Sequence, residues 1–509
     1  MSSIQNENYK KRLKSYTRRD FIKIAAGGSV LGGKILSNTG FTLGSNMKKQ
    51  MMAGPASRYV PLIKAAFVRR KGDYGMAWPG AIYDGETALN NYHQQIIKAE
   101  RELGIKIDIR SLPIYSLKEA DQWLNEAAAG NPDGFLVVVL DRQQHSWPTV
   151  YKTVETKIPT VVFSPIGTAF TTNTTVADAM SGVFICSTDD FSQAVYGIKM
   201  IKAGAKLRET RVVVLRGNER REDEIPHFGV KLLYLPAKTY LDDYNRIPIT
   251  DEIEVMAEDY IKNATRMTGP TKQDVLNGVK GYVVARSIIE REGADAITMD
   301  CLGTLGNSKV SLPCIAWSKL NDDGVPAVCE ADLTSVVKHC LVQYLFDRPG
   351  FQQDPVPDTA KNSLIGAHCS CPTRLNGFSE QSEPYFLSHH HGKRDAVPVT
   401  IWKIGQKVTV FDVVFNQRSS DRTRFAHRFP VNMEDERPEM IISTGEVIEN
   451  ISVPPSGGCV VSINVKLDNV NDSSDLLSYP GFHQLFFYGD FKKELKEYCG
   501  LFNIKQTVI

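Results

Sequence analysis

The stretch Gly134-Phe-Leu-Val-Val-Val-Leu140 decides the fold class of the first part of this chain. Its apolar residues follow one another without the polar alternation of a strand that has one face in water, which indicates a strand buried on both faces. Such strands belong to parallel sheets that helices cover on both sides. The stretch therefore predicts a doubly wound α/β domain, whose ligands normally bind at the carboxyl ends of the strands.

The same pattern extends outward from this stretch over residues 58–180, which we predict to be the first α/β domain. Apolar residues recur at helical spacing over 87–103 and 117–129. Short apolar runs alternate with these helices, as in a βαβ arrangement. The predicted strands are 63–68, 105–109, 134–140 and 159–163.

Residues 181–360 repeat the alternation and form a second predicted α/β domain. None of its strands is followed by a Gly-x-Gly-x-x-Gly or Gly-x-x-x-x-Gly-Lys sequence, so nucleotide binding lacks its usual phosphate cradle. The predicted strands are 183–186, 211–215, 294–299 and 325–329, and the predicted helices are 190–205, 251–263 and 271–291.

Residues 361–509 change to alternating apolar and polar residues between Gly, Pro, Asn and Ser, which indicates antiparallel strands. The overall prediction is two doubly wound parallel-sheet (Rossmann- or flavodoxin-like) domains, followed by a β-rich, barrel-like C-terminal domain. Its predicted strands are 399–404, 408–415, 440–443, 459–465 and 504–509, with a closing helix over 490–498.

The N-terminal segment, residues 1–57, is predicted to be an export signal with a linker. Arg18-Arg19 is followed by Phe21 and a Gly/Ala-rich apolar segment, which resembles a twin-arginine signal. The alternative is an amphipathic surface helix. The signal predicts a periplasmic or membrane-associated protein.

Composition restricts the possible partners. The net charge is +2 and no long Lys/Arg stripe follows the N-terminus, so nucleic acid is not an expected partner. No apolar run approaches the ~20 residues that span a bilayer, so membrane contact is expected only through the signal. The nine scattered cysteines do not form a disulfide framework and are interpreted as ordinary buried thiols.

Four residues far apart in the sequence are the candidate metal ligands: Glu330, Asp354, His368 and His483. Two carboxylates and two imidazoles can hold one divalent cation and leave coordination positions open for the oxygens of a substrate. The mixed oxygen and nitrogen donors favour Mn²⁺, or another divalent cation. Asp332 shares a strand face with Glu330, so it either orients a ligand or replaces Glu330 as a ligand.

Each candidate also has a purely structural interpretation. Glu330 with Asp332 can cap a helix. Asp354 lies beside two prolines, where an exposed turn is common. His368 can be a core histidine, and His483 follows Pro-Gly and can belong to a turn.

Two further residues are candidate sugar contacts. Trp78 follows the first strand and can pack its aromatic face on a sugar or belong to a plain turn. His391 ends the cluster His389-His390-His391, which is an exposed loop or a substrate contact. Asp300, at the end of a strand, is interpreted as supporting a ligand or as structural.

The order of these motifs resembles the L-fucose isomerase and L-arabinose isomerase family. Val328-Cys-Glu-Ala-Asp332 and Phe351-Gln-Gln-Asp354 resemble the metal-carboxylate segments of L-fucose isomerases. Leu364-Ile-Gly-Ala-His-Cys-Ser-Cys-Pro372 is similar to the Gly-Ser-His stretch of L-arabinose isomerases. His391-Gly-Lys-Arg-Asp-Ala-Val397 and Phe482-His-Gln484 resemble segments of the C-terminal domain of those enzymes.

The resemblance implies a metal-dependent aldose–ketose isomerase that acts on a pentose or deoxyhexose through an ene-diol. Glu330 and Asp354 would then be the catalytic base and acid, since the metal and burial can separate their pKa values. The resemblance also implies a homo-oligomer, a trimer or hexamer. The alternative is an exported carbohydrate-binding protein on the same scaffold without turnover. Both functions take a small-molecule sugar.

Overall fold

Two sheets of mainly parallel strands and a closed β-barrel make up the fold. The computed structural model describes residues 54–76, 83–390, 394–415, 437–453 and 459–509. The described residues belong to one compact unit, and none of their helices is long and apolar enough to cross a membrane. The predicted export signal, with Arg18-Arg19, lies outside the described residues.

The N-terminal part contains the predicted parallel sheet. Its strands are β1 (Leu62–Val68), β2 (Gly75–Met76), β3 (Tyr83–Asp84), β4 (Lys106–Ile109), β5 (Gly134–Val139), β6 (Thr160–Ser164) and β7 (Val183–Ser187). Its helices are α1 (Pro55–Arg58), α2 (Gly85–Leu103), α3 (Leu117–Ala129), α4 (Ser146–Glu155), α5 (Thr171–Asp178) and α6 (Ser192–Glu209). Five strands pair in parallel in the order β4-β1-β5-β6-β7, and β2 and β3 form a short hairpin.

Strand β5 shows why this sheet is parallel and buried. All six of its residues are buried. Leu136 and Val138 pack into one hydrophobic core, whereas Phe135, Val137 and Val139 pack into another. The prediction of a strand covered on both faces is therefore confirmed. The predicted strand 183–186 does not belong to the second domain, because the corresponding strand β7 pairs with β6 in the first sheet.

The second sheet lies in the middle of the chain. Its strands are β8 (Arg211–Leu215), β9 (Arg221–Ile225), β10 (Val230–Leu235), β12 (Ala296–Met299) and β13 (Ala327–Cys329), and β11 (Met267–Thr268) belongs to a smaller sheet. The helices are α7 (Lys238–Arg246), α8 (Asp251–Asn263), α9 (Lys272–Glu292), α10 (Cys301–Leu305), α11 (Cys314–Asp322) and α12 (Leu333–Phe346). The order is β13-β12-β8-β10-β9, and the edge strand β9 is antiparallel. The mixed α/β class is confirmed, and the closer likeness to Rossmann or flavodoxin domains stays a prediction.

The C-terminal part contains a closed barrel of six strands, which confirms the barrel-like prediction. The strands are β14 (Phe351–Asp358), β15 (Ser363–His368), β16 (Tyr385–His390), β17 (Arg394–Thr400), β18 (Lys407–Val414), β19 (Glu439–Asn450), β20 (Val461–Leu467), β21 (Gln484–Tyr488) and β22 (Lys505–Val508). Two helices, α13 (Ser473–Leu477) and α14 (Lys492–Leu501), accompany them. The barrel runs β18-β21-β14-β15-β20-β19 and closes where β19 pairs with β18. Strand β22 extends it in parallel at β19, and β11, β16 and β17 form a separate sheet.

The structure contradicts the alternative interpretation of Asp354 as a turn residue, because Asp354 lies within barrel strand β14. The sequence did not predict this strand, because Pro355 and Pro357 lie in it and proline is rare inside a sheet. Strand β21 pairs only with residues 351–353 of β14, whereas β15 pairs with residues 354–358. The prolines therefore lie where one side of the strand has no partner in this sheet, which is where a sheet tolerates them.

Candidate functional site

The four predicted ligands come from the carboxyl end of the second sheet and from the barrel. Glu330 directly follows β13, and Asp354 lies in β14. His368 is the last residue of β15, and His483 directly precedes β21. The barrel strands and the parallel sheet thus place four distant residues at one junction.

The side chains of these residues face one another. The distance from Glu330 Oε1 to His368 Nε2 is 3.7 Å, and that from Glu330 Oε2 to His483 Nε2 is 3.8 Å. Asp354 Oδ1 lies 3.2 Å from His483 Nε2. One donor atom from each of Glu330, His368 and His483 lies within 4.8 Å of the others. Donors bound about 2.0–2.2 Å from a common ion are up to roughly 4 Å apart, so these atoms need only a small movement to share a cation.

Asp332 orients His483 and also caps a helix. Its Oδ2 accepts a hydrogen bond from His483 Nδ1 at 2.8 Å and one from the Ser335 hydroxyl at 2.6 Å. Its Oδ1 accepts from the Thr334 backbone N–H at 2.9 Å, at the start of α12. A carboxylate at Nδ1 turns Nε2 of the imidazole toward a metal. The helix-cap interpretation therefore applies to Asp332, and Glu330 is left facing the histidines.

The backbone at Glu330 is strained. Glu330 has a φ of 64° and Ala331 a φ of 51°, two successive non-glycine residues in the left-handed region. Each such residue costs on the order of 1–2 kcal/mol and persists only where the surrounding structure requires it. The turn directs the Glu330 carboxylate to the imidazoles before Asp332 starts α12.

Burial and charge shift the protonation of the cluster in opposite directions. Burial, together with the nearby carboxylates of Asp354 and Asp332, raises the pKa of Glu330 against the opposing effect of His483. Burial acts to raise the pKa of Asp354, but its hydrogen bond to His483 and the two nearby imidazoles bring it below the usual value. Burial acts to lower the pKa of His483, but hydrogen bonds to Asp332 and Asp354 raise it to about 9. Without a cation, a proton on His483 offsets part of the negative charge of the three carboxylates.

A buried lysine that was not predicted from the sequence binds the backbone of His483 and a second carboxylate. Lys338 on α12 is 0 % exposed. Its ammonium donates to Asp412 Oδ1 at 2.5 Å and to the backbone carbonyl of His483. A lysine among the apolar residues of α12 is the signal that could have identified it, because buried lysines are almost always paired.

The other candidate residues have mixed outcomes. Trp78 and His391 lie outside the described residues. His389 and His390 belong to β16, so the exposed-loop interpretation is wrong for these two residues, and His390 is buried. Asp300 caps α10 by accepting from the Gly303 N–H at 3.1 Å.

Comparisons with known proteins give neither a family nor a curated relative. No family model matches the chain, and no curated protein matches it. Among solved structures, the chain is similar to a solute-binding protein of an ABC transporter from Burkholderia multivorans, with 11% identity over 57% of this chain and 95% of that one and a TM-score of 0.19. A periplasmic sugar-binding protein from Legionella pneumophila matches with 11% identity over 56% and 94% and a TM-score of 0.16. A glucose-galactose binding protein from Geobacillus stearothermophilus matches with 12% identity over 57% and 93% and a TM-score of 0.18. With TM-scores this low, no detail of those structures is transferred to this chain.

These findings correct the family prediction. The solved structures found are described as solute- or sugar-binding proteins of transporters and not as fucose or arabinose isomerases, and no family model or curated protein supports an isomerase. The predicted membership of the isomerase family is therefore wrong, as are the predicted isomerase activity and the classification as a manganese-dependent isomerase. The predicted trimer or hexamer stays a prediction.

Proposed function

We propose that this chain is an exported carbohydrate-binding protein that holds its ligand through a divalent cation at Glu330, Asp354, His368 and His483. The observation that carries the proposal is the convergence of Glu330, His368 and His483, whose donor atoms lie within 4.8 Å of one another. Asp354 adjoins them through its 3.2 Å contact with His483. The function is binding, with the sugar released unchanged.

The donor set fits a divalent cation. Two carboxylates and two imidazoles suit an ion of intermediate hardness such as Mn²⁺. The hydrogen bond from His483 Nδ1 to Asp332 fixes the imidazole ring, so His483 Nε2 is directed to the position between Glu330 and Asp354. A cation there would replace the proton of His483 and neutralise the surrounding carboxylates.

A cation in this position favours a polyol as its ligand. Ions of this class prefer about six donors, and four protein donors leave about two positions open. Neighbouring hydroxyls of a sugar supply two oxygen atoms at a spacing that one ion can hold. The cation would then select for a pair of adjacent hydroxyls, while other contacts select among sugars.

Calorimetric titration of the purified chain with pentoses and deoxyhexoses tests the proposal. We expect binding in the presence of Mn²⁺, its loss after chelation, and recovery of the unchanged sugar by NMR. Glu330→Gln and His483→Ala should each weaken Mn²⁺ and sugar binding at least tenfold. His227→Ala is the matched control, because the His227 ring contacts the Phe502 carbonyl, which does not belong to the four proposed ligands. Sugar binding that is the same with and without a chelator would refute the proposal.

Export is the part of the proposal that depends on Arg18-Arg19. We expect the full chain to be found outside the cytoplasm in a host with a twin-arginine pathway. Replacing both arginines with lysine should leave the protein inside the cell. Unchanged export of that variant would exclude the twin-arginine route.

A further inference from the structure

An open pocket lies at the carboxyl end of strand β8 in the second sheet. Its volume is about 320 Å³, within the range of roughly 300–1,000 Å³ that sites for small molecules occupy. Two of its lining side chains are arginines and one is an acid, so the charge of the lining is positive on balance. The lining consists of Arg216, Gly217, Asn218, Glu219, Arg221 and Tyr234.

The strand order of the second sheet favours a ligand site at this position. After β8 the chain forms β9 and β10 on one side of it, and then β12 and β13 on the other side. In open α/β sheets, ligands bind outside the carboxyl ends of the strands at the point where the order reverses. Arg216 directly follows β8, and Tyr234 lies at the same end of its parallel neighbour β10. The pocket therefore occupies the position that this rule favours.

The Arg216 guanidinium is available to a ligand. Arg216 is half-buried, and within the described ranges its side chain has neither a hydrogen-bond acceptor nor an ion-pair partner. Its backbone N–H donates to the Leu235 carbonyl at 3.2 Å, which fixes the residue beside β10. Gly217 follows with a φ of 68°, and no atom lies within 4 Å of the position that a Cβ would occupy there. A ligand can therefore approach the backbone next to the guanidinium.

The second arginine of the pocket is held in place by an aromatic ring and a carboxylate. Arg221 and Tyr234 are register partners in the antiparallel pair of β9 and β10. The Arg221 Cζ lies 3.6 Å from the centre of the Tyr234 ring, and its Nη1 donates to Asp223 Oδ2 at 2.8 Å. A guanidinium has five N–H donors, so Arg221 can keep both contacts and still donate to a ligand.

We propose that this pocket binds an oxyanion of a small ligand, a phosphate or carboxylate group, through the guanidinium groups of Arg216 and Arg221. The planar fork of a guanidinium matches two oxygens of such a group, and these charge-assisted hydrogen bonds are among the strong ones. Glu219 opposes the anion, but its side chain is exposed, where solvent weakens the repulsion. The site goes beyond the proposed carbohydrate function and does not rest on it, because its donors are N–H groups and it needs no cation.

The pocket shares its edge of the sheet with the candidate cation site. Leu215, Met299 and Cys329 are register partners across β8, β12 and β13. Arg216 and Glu330 therefore follow strands that are two positions apart. Neighbouring strands are about 4.8 Å apart, which separates these two backbone positions by roughly 10 Å. The oxyanion can thus belong to a free molecule or to a sugar phosphate whose hydroxyls reach the cation.

Calorimetric titration of the full chain with inorganic phosphate, without added metal, tests the proposal. We expect one saturable site per chain, and Arg216→Gln should weaken phosphate binding at least tenfold. Arg220→Gln is the matched control, because it removes the same charge from the same loop at a residue that pairs with Glu292 and does not line the pocket. We expect this control to keep the affinity within about twofold. Equal weakening by both variants would indicate diffuse surface charge and would overturn the proposal.

Glu219→Gln provides a test that misfolding cannot imitate, because the expected result is a gain of binding. Removing the one acid of the lining should strengthen phosphate binding about threefold, the effect of one exposed charge. Absence of saturable phosphate binding would overturn the proposal. So would an affinity that neither Arg216→Gln nor Glu219→Gln changes.

Titration with a pentose phosphate and with its parent sugar, in the presence of Mn²⁺, identifies the molecule that carries the anion. A pentose phosphate that binds more tightly than inorganic phosphate, and loses this advantage after chelation, carries the oxyanion itself. Equal affinity for both, with and without a chelator, assigns the pocket to a free oxyanion. Because the phosphate titration contains neither sugar nor Mn²⁺, its failure contradicts only the oxyanion site, whereas failure of Mn²⁺-dependent sugar binding contradicts only the carbohydrate function.

Discussion

The buried pair of Lys338 and Asp412 should contribute strongly to stability and to the position of His483. Both side chains are almost fully buried, at 0 % and 6 % exposure, and their charged atoms are 2.5 Å apart. Lys338 also donates to the backbone carbonyl of His483. Lys338→Met keeps the length of the side chain but leaves the Asp412 carboxylate without its cation.

We expect Lys338→Met to lower the free energy of unfolding by about 3–5 kcal/mol, the cost of leaving one buried charge without its partner. The Val413 backbone N–H still donates to Asp412 Oδ1 at 2.8 Å, which favours the lower end of this range. Adding Asp412→Asn removes the orphaned charge, so the double variant should recover most of the loss. The double variant does not restore the hydrogen bond from Lys338 to the backbone carbonyl of His483, so the recovery should be incomplete.

Chemical denaturation of the unmodified protein, both single variants and the double variant provides the four corners of a double-mutant cycle. The Mn²⁺ affinity of the folded variants reports the position of His483. Lys64→Met is the matched control, because Lys64 is partly exposed and its pair with Asp108 should contribute about 1 kcal/mol or less. A cost below 1 kcal/mol for Lys338→Met, or no recovery in the double variant, would refute this reasoning.

Three further predictions concern the cluster itself. The pKa of His483 in the folded protein is about 9, above its ordinary 6.5, so its protonation should stabilise the fold by on the order of 3 kcal/mol, fully below pH 6.5 and no longer once the pH has risen through 9. Denaturation of the metal-free protein should show this loss of stability, and the same loss in a His483→Gln variant would exclude His483 as its source. Glu330→Gly should raise the free energy of unfolding by up to about 1 kcal/mol, because glycine accepts the φ of 64°, and it should abolish Mn²⁺ binding. A folded variant that is less stable than the unmodified protein would contradict the claim that the backbone at Glu330 is strained. Asp332→Asn should lower the pKa of His483 toward 6.5, since the Asp332 carboxylate raises it; an unchanged value in an NMR titration would contradict that cause.

The sequence by itself determined the local structure of the parallel sheet and of six of the fourteen helices in the described residues. The unbroken apolar run of β5 is buried on both faces as predicted. Helices α3 and α8 have the predicted bounds, because their caps and periodicity are local signals. Strand β14, which contains the predicted ligand Asp354, was missed, because its tolerance for proline depends on where β21 ends its pairing.

Four of the sequence stretches that resemble the isomerase family indicated the donor types of the cluster, but proximity was decided only by the tertiary structure. Barrel closure brings His368 and His483 to the end of β13, and the left-handed turn at Glu330 directs its carboxylate to them. The tertiary structure also places five cysteines, interpreted from the sequence as ordinary thiols, around one small cavity beside Glu330 and His368. Contacts between residues more than a hundred positions apart depend on sheet order and barrel register, and these arise from packing between segments that no local pattern encodes.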